Sequence, residues 1–264
     1  MAHIPRITFG FKRQGPEYRF GDQTDFQEIK LTFGFKTITI GSWVTPHEQR
    51  LGANLVYDAL ADLAQILQVP PFVIGLKGTL NFALGTGGQL GVQAHYDASA
   101  RTLALAKNAG AGALAHEWWH AFDHYICKHL FAHSRPLSFA SSLWLQHPLS
   151  NHHPLNLQLT QFFKTILLSS DGDKPSQFFE HAKQLDNQYG LLYFSRPQEL
   201  SARAFETCIA YNTSISNEYL VSGVKNSELQ QQGGFPDLAQ TAILSDIIFN
   251  YFKALGTALH HRSD

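Results

Sequence analysis

The sequence contains few cysteines and few charged residues. Only two of its 264 residues are cysteines, Cys127 and Cys208, and 16% of the residues are charged. Two cysteines are too few for the disulfide framework of a small secreted domain. We therefore expect a reducing, cytoplasmic setting, with a disulfide between the two cysteines as the lesser alternative.

The sequence also lacks a charge excess and long apolar runs. Its 20 basic residues are balanced by 21 acidic ones, and binding to a phosphate backbone depends on clustered Lys and Arg, so we expect no nucleic-acid partner. No stretch reaches about 18 uncharged apolar residues, and residues 1–6 do not begin a signal segment, so we expect no membrane association. A hydrophobic content of 44% still allows a full core.

A long uninterrupted helix is predicted over residues 112–131. No proline occurs between Pro71 and Pro136, so no proline breaks the helix. An apolar residue also recurs every four positions, as expected for one face of a helix. The repeated residues are Leu114, Trp118, Phe122 and Ile126.

The run His116-Glu117-Trp118-Trp119-His120 lies in this predicted helix. Residues four apart share a helix face, so the imidazoles of His116 and His120 can converge on one cation. Such a pair suits Zn²⁺, and Glu117 beside it can take a proton from a metal-bound water. The alternative is a core helix with paired histidines and no metal, although buried His and Glu seldom lack partners.

A catalytic zinc needs a third protein ligand. A histidine ten residues after the first, as in metzincins, would fall at Ile126, and no glutamate occurs between Glu117 and Glu180. The ligand is therefore expected among the downstream glutamates, which are Glu180, Glu199, Glu206, Glu218 and Glu228.

Two of these glutamates lie in a second predicted helix, over residues 196–206, with Ser195 as a plausible N-cap. Glu199, Arg203 and Glu206 share one face of that helix. One carboxylate can face the metal while Arg203 or the other carboxylate supports it. The sequence leaves Glu199 and Glu206 open as the ligand, and a surface ion-pair helix is the alternative interpretation.

Two motifs carry a resemblance to a known family. Residues 114–123 read LAHEWWHAFD, and residues 195–206 read SRPQELSARAFE. They resemble the HEWxHAxD and ExxARAFE motifs of gluzincin-type metallopeptidase domains in large polyvalent proteins of phages and mobile elements, and of bacterial CLCA_X proteins. The stretch from Phe82 to Asp97 is also similar to what precedes the zinc helix there, so the resemblance covers roughly residues 80–206.

The resemblance implies His116, His120 and Glu199 as zinc ligands and Glu117 as the general base. It also implies a zincin-like α+β fold, with a small mixed β-sheet, an active-site helix and a mostly helical C-terminal lobe. The sequence departs from the family pattern at two positions, Trp119 and Ser201.

Three further side chains are candidates for the site. Tyr193 lies six residues before Glu199, and its hydroxyl could stabilise an oxyanion, with a packing role as the alternative. His95 is a second candidate for that role. Asp123, close to one turn after His120, could orient a ligand imidazole, or it could face solvent.

We expect two lobes, residues 1–110 and residues 111–264, that together form one catalytic domain.

The repeated run TFGFK at 8–12 and 32–36 predicts two similar strands, and a glycine-rich run at 85–91 predicts a hairpin or an active-site rim. Residues 101–106 are expected to form an edge strand that pairs with an extended substrate, by analogy with zincins. Further strands are predicted at 37–40, 72–76 and 80–84, and further helices at 48–67, 155–168, 177–189 and 235–261.

Together these features predict a zinc-dependent metallopeptidase that hydrolyses peptide or protein substrates. Zn²⁺ would activate a water molecule, and Glu117 would act as base and then acid. The alternatives are a non-catalytic zinc-binding module that recognises a partner, and a hydrolase of a non-peptide amide. An intact Glu117 favours an enzyme, because a scaffold has no need of a general base.

Overall fold

The computed structural model describes residues 10–86, 94–106 and 112–260. The chain folds into two compact units. The first comprises Met1–Ala121 and Asn212–Ser222, and the second comprises Phe122–Tyr211 and Gly223–Asp264. The predicted lobe boundary at 110/111 lies outside the described residues.

The first unit contains the strands found in the described ranges. They are β1 (Arg13–Gln14), β2 (Ile38–Ile40), β3 (Asn81–Leu84), β4 (Ala94–Asp97), β5 (Thr102–Leu105) and β6 (Ser216–Asn217). The larger sheet has the order β2-β3-β5-β4, in which β2, β3 and β5 are parallel and β4 is antiparallel to β5. β1 and β6 form a separate antiparallel pair.

Helices make up most of the remaining structure. They are α1 (Phe26–Phe33), α2 (Pro46–Leu67), α3 (Leu114–Leu130), α4 (Ala140–Trp144), α5 (Pro154–Leu167), α6 (Gln177–Tyr189), α7 (Pro197–Ala210), α8 (Glu228–Gln231) and α9 (Leu238–His260). The mixed α+β class is therefore confirmed. The division into units falls inside α3, so this helix contributes residues to both.

Local sequence explains why α2 begins and ends where it does. The Thr45 side chain accepts from the Glu48 N–H, and the Glu48 carboxylate accepts from the Thr45 N–H, which forms a capping box. Pro46 occupies the first turn, where its missing N–H costs nothing. Gln68 ends the helix in the left-handed conformation, two residues before Pro70.

Two of the strand predictions are wrong. In the second TFGFK copy, Phe33 is the last residue of α1, and Gly34 caps that helix with a φ of 68°. Ile29 and Phe33 are buried at helical spacing, so apolar burial favours a helix here. The predicted strand at 72–76 is also absent, because Pro71–Val73 forms a 3-10 turn. In the first copy, residues 8 and 9 lie outside the described residues, as does most of the predicted hairpin at 85–91.

The expected edge strand is also corrected. Residues 101–106 form β5, which is confirmed as a strand, but it pairs with β3 on one side and with β4 on the other. β5 is therefore a central strand of this sheet, and its pattern is that of a buried strand, because Leu103, Ala104 and Leu105 are all buried. Within the described ranges, the strand beside β5 at the edge of the sheet is β4.

The second unit is helical, and α9 packs against α5 and α7. The buried residues of α9 recur at helical spacing and define one face: Thr241, Leu244, Ile248, Tyr251, Phe252 and Gly256. By length and composition alone, α9 could also cross a membrane, and 28% of its most apolar window is buried. Cys127 and Cys208 are both buried, free thiols, so the alternative disulfide is not formed.

Candidate metal centre

Main-chain and side-chain hydrogen bonds fix the first turns of α3 in the first unit. The Gly112 N–H donates to the Tyr219 carbonyl at 3.0 Å, and the Ala115 N–H donates to the Leu220 carbonyl at 3.1 Å. The buried Trp118 indole donates to the Ile74 carbonyl at 3.0 Å. These bonds hold the helix at positions before and after His116 and Glu117.

His116 and His120 are brought together on this anchored segment. Both are buried, at 9% and 8% exposure, and their Nε2 atoms lie 3.2 Å apart. Two nitrogen ligands at about 2.05 Å from a tetrahedral zinc would lie about 3.3 Å apart. The observed separation therefore fits a shared metal, and it also fits a hydrogen bond between imidazoles in opposite tautomers.

Glu117 lies in the first turn of α3, where the helix dipole favours a carboxylate. Its Oε2 atom accepts a hydrogen bond from the main-chain N–H of Tyr96, at 2.7 Å. Tyr96 belongs to β4, so the predicted general base is bonded to the edge strand of the sheet. No sequence pattern could have indicated this bond, because its donor is a main-chain group.

A carboxylate completes a group that could hold a metal ion. The ligand atoms of His116, His120 and Glu199 all lie within 4.8 Å of one another. Glu206, the other candidate, is buried at 7% exposure and is not a member of that group among the described residues. The ligand set itself stays a prediction.

Arg203, on the same helix as Glu199, is 3% exposed. The alternative of an ordinary surface ion-pair helix is therefore wrong. The Arg203 guanidinium donates to the carbonyls of Gly234 and Phe194 and lies over the Phe178 and Phe194 rings. Burial lowers the pKa of Arg203 to about 10, against the opposing effect of nearby acidic groups that include Glu199.

The N-cap of α7 differs from the predicted one. Arg196 is the N-cap of α7 and makes no side-chain capping bond. The Ser195 hydroxyl instead donates to the Asp186 carboxylate at 2.5 Å, so the N-cap prediction is wrong. The Tyr193 N–H also donates to Asp186, and the Tyr193 side chain is 40% exposed. Its proposed role toward an oxyanion stays a prediction.

Asp123 is fully buried, so the solvent-facing alternative is wrong. Its carboxylate accepts from the Ser141 N–H at 2.8 Å and from the Ser141 hydroxyl at 2.5 Å. These bonds tie α3 to the first turn of α4 within the second unit. His95 is exposed on β4.

The described residues therefore form an α+β protein that contains a candidate His-His-Glu metal group. Residues 185–259 match the family model described as "Large polyvalent protein-associated domain 1". This segment begins inside α6 and contains α7 and most of α9, but it does not reach α3. The match supports the resemblance to large polyvalent protein-associated domains, and it does not by itself indicate a metallopeptidase. Searches of the curated proteins and of the solved structures found no match.

Proposed function

We propose that this chain is a zinc-dependent metallopeptidase of the zincin type. One observation carries the proposal: two imidazole nitrogens and a carboxylate oxygen lie within 4.8 Å of one another. Glu117, which is not part of this group, directly follows His116 in the sequence. The combination of three metal ligands and an adjacent general base is the arrangement that peptide hydrolysis by zinc requires.

The donor atoms suit zinc better than they suit Ca²⁺ or Mg²⁺. Ca²⁺ and Mg²⁺ prefer oxygen ligands, whereas two imidazoles and one carboxylate are a common zinc set. Zn²⁺ bound to this group would lower the pKa of a water ligand to near 7 and polarise a carbonyl. The proposed set has three protein ligands, so the fourth position of a tetrahedral zinc would stay open for water or substrate, as in catalytic sites.

Glu117 is proposed to perform the proton transfers. Its carboxylate takes a proton from the water whose oxygen forms a bond to the carbonyl carbon of the substrate. It then gives that proton to the amide nitrogen as the carbon–nitrogen bond breaks, which leaves a carboxylic acid and an amine. The second proton of the water then passes from the acid to the amine, so the final products are a carboxylate and an ammonium group. Tyr193 is proposed to donate its hydroxyl hydrogen to the carbonyl oxygen while negative charge develops there.

The sheet supports a peptide as substrate. β4 is an edge strand, and an extended peptide can add to such an edge through main-chain hydrogen bonds. In zincin-like folds the substrate binds at the strand beside the zinc helix, and here the bond from Tyr96 to Glu117 joins β4 to that helix. A peptide or protein substrate therefore fits this edge better than a compact small molecule.

The test combines metal analysis with peptide cleavage. Purified protein is loaded with zinc and assayed against a peptide library, with and without a chelator. Glu117→Gln should keep zinc and lose cleavage by about 100-fold or more, because it removes the general base but not a ligand. Glu199→Ala should lower the zinc content. Glu228→Gln, at an exposed position on α8, is the matched control and should change neither.

Three outcomes would redirect the proposal. Full zinc occupancy in Glu199→Ala removes Glu199 from the ligand set, and the same substitution at Glu206 is then tested. Zinc binding without cleavage of any peptide supports a zinc-containing recognition module. Cleavage of small amides but not of peptides supports the non-peptide hydrolase.

A further inference from the structure

We propose that the main-chain amide of Tyr96 is the positioning group for the Glu117 carboxylate, so that the edge strand β4 orients the general base. The bond from the Tyr96 N–H to Glu117 Oε2 is 2.7 Å long. This length is typical of a hydrogen bond with a charged acceptor, which is stronger than a neutral one. The inference rests on the proposed function, in which Glu117 is the base.

The ladder between β4 and β5 determines the direction of this amide. Tyr96 stands opposite Leu103 in an antiparallel pair. Residues of such a pair alternate between hydrogen-bonded and non-hydrogen-bonded positions. Because the Tyr96 N–H bonds to Glu117, it points away from β5, and its neighbours His95 and Asp97 occupy the hydrogen-bonded positions. The donor therefore belongs to the outer edge of the sheet.

Two independent constraints then act on Glu117. The hydrogen bonds from Ala115 and Trp118 fix the helix on either side of it, and thus the position of its Cα atom. The Tyr96 amide fixes one oxygen at the far end of the side chain. A glutamate with both ends fixed loses little rotamer freedom when the reaction begins, which is how a preorganised base gains rate.

The arrangement also couples the base to the place where substrate is proposed to bind. A peptide that adds to β4 would use the outer edge that carries the Tyr96 amide, through main-chain groups other than this N–H, which is bonded to Glu117. A shift of this strand therefore moves the substrate and the Glu117 carboxylate together. Misplacement by about 1 Å can cost about 100-fold in rate, so we expect this contact to influence kcat more than KM.

Amide hydrogen exchange tests the bond without reference to metal or activity. The Tyr96 amide of the 264-residue chain should exchange slowly although it lies on an edge strand. In Glu117→Ala it should exchange at least tenfold faster, while the ladder amides of His95 and Asp97 keep their wild-type rates. Glu117→Gln, which retains an acceptor oxygen, should stay closer to wild type. Equal protection of Tyr96 in wild type and Glu117→Ala would overturn the proposal.

Kinetics on the zinc-loaded enzyme test the consequence. Tyr96→Pro removes the amide donor and leaves the ladder bonds, because proline is tolerated where the N–H faces outward at an edge. Tyr96→Ala removes the same ring and keeps the donor, so it is the matched comparison. We expect kcat of Tyr96→Pro to lie about 10- to 100-fold below that of Tyr96→Ala, with KM within about threefold.

The outcomes separate this inference from the proposed function. Equal kcat values for the two Tyr96 variants would overturn the positioning role while leaving the peptidase proposal intact. A wild-type protein that binds zinc but cleaves nothing would end the peptidase proposal, and with it the catalytic role of this contact. The exchange measurement would then still decide whether Tyr96 fixes Glu117. If Tyr96→Pro does not fold, the exchange comparison decides the matter.

Discussion

Asp186 organises the segment that leads into α7, and its replacement gives a quantitative prediction. Asp186 is buried, with 5% of its surface exposed. Oδ1 accepts from the N–H groups of Tyr193 and Phe194, and Oδ2 accepts from the N–H and the hydroxyl of Ser195, at 2.5–2.9 Å. These bonds hold the chain immediately before the helix that carries Glu199.

The effect of Asp186→Asn follows from the number of bonds. Asparagine keeps one acceptor oxygen and replaces the other with an NH₂ group, which would face two donors. With the NH₂ group toward Ser195, the Ser195 hydroxyl can rotate and accept from it, but the Ser195 N–H loses its acceptor. A hydrogen bond to a charged group contributes about 1.5–3 kcal/mol, and the remaining bonds also lose their charged acceptor. We expect the free energy of unfolding to fall by at least about 1.5–3 kcal/mol.

Urea denaturation at pH 7, followed by tryptophan fluorescence, measures this change. Asp171→Asn is the matched control, because Asp171 also accepts from a hydroxyl, that of Ser169, and from a main-chain N–H, that of Asp173, but at an exposed position. Its replacement should have a much smaller effect. Equal effects of the two substitutions would refute the view that Asp186 holds the start of α7.

The pH dependence has a defined sign. Burial acts to raise the pKa of Asp186, but the hydrogen bonds from Ser195, Tyr193 and Phe194 together outweigh it, so the pKa lies below its ordinary value. The stabilisation is therefore present above the ordinary carboxyl pKa of about 3.9 and is lost as the pH falls through the lower folded value. The difference in stability between wild type and Asp186→Asn should narrow below about pH 4.

Two further predictions concern packing and thiol reactivity. Gly112→Ala should destabilise the protein by about 3 kcal/mol or more, because Gly112 has a φ of 104° and an added Cβ would overlap the Ser222 hydroxyl oxygen. Gly190→Ala is the control and should cost about 1–2 kcal/mol, because Gly190 has a φ of 64° and open space around it. Equal losses of unfolding free energy in the two variants, measured by urea denaturation, would contradict this prediction. Burial raises the pKa of Cys127 and Cys208 to about 12, so a thiol reagent at pH 8 should label neither in the folded protein and both in urea.

The sequence predicted those elements whose signals are local. The periodic apolar residues and the absence of proline predicted α3, which spans Leu114–Leu130. The helices α2, α5 and α6 were also predicted to within about two residues of their observed ends. The strand prediction for the second TFGFK run was wrong because Phe33 is buried against the rest of its unit as part of a helix. Five residues of sequence cannot show that burial.

The order of strands within the sheet could not be predicted from strand patterns. Residues 101–106 form a strand as predicted, but whether a strand is central or at an edge depends on how distant segments pair. β4 follows β3 and precedes β5 in sequence, yet β3 pairs with β5 and leaves β4 outside.

The candidate site shows the same division between local and distant signals. The pair His116 and His120 could be predicted because four residues fix their spacing on a helix. The choice between Glu199 and Glu206 as the third ligand could not be predicted, because it depends on how a distant helix is oriented. The Tyr96 bond to Glu117 leaves no trace in the sequence, since every residue other than proline has the same N–H group.

The zinc content of the purified protein tests the central claim most directly. The wild-type chain, exposed to zinc and then freed of loosely bound metal, should retain one zinc ion per chain by elemental analysis. The His116→Ala/His120→Ala double variant, shown to be folded by circular dichroism, should retain none. A wild-type protein that retains no zinc, or a double variant that retains as much as the wild type, would contradict the account.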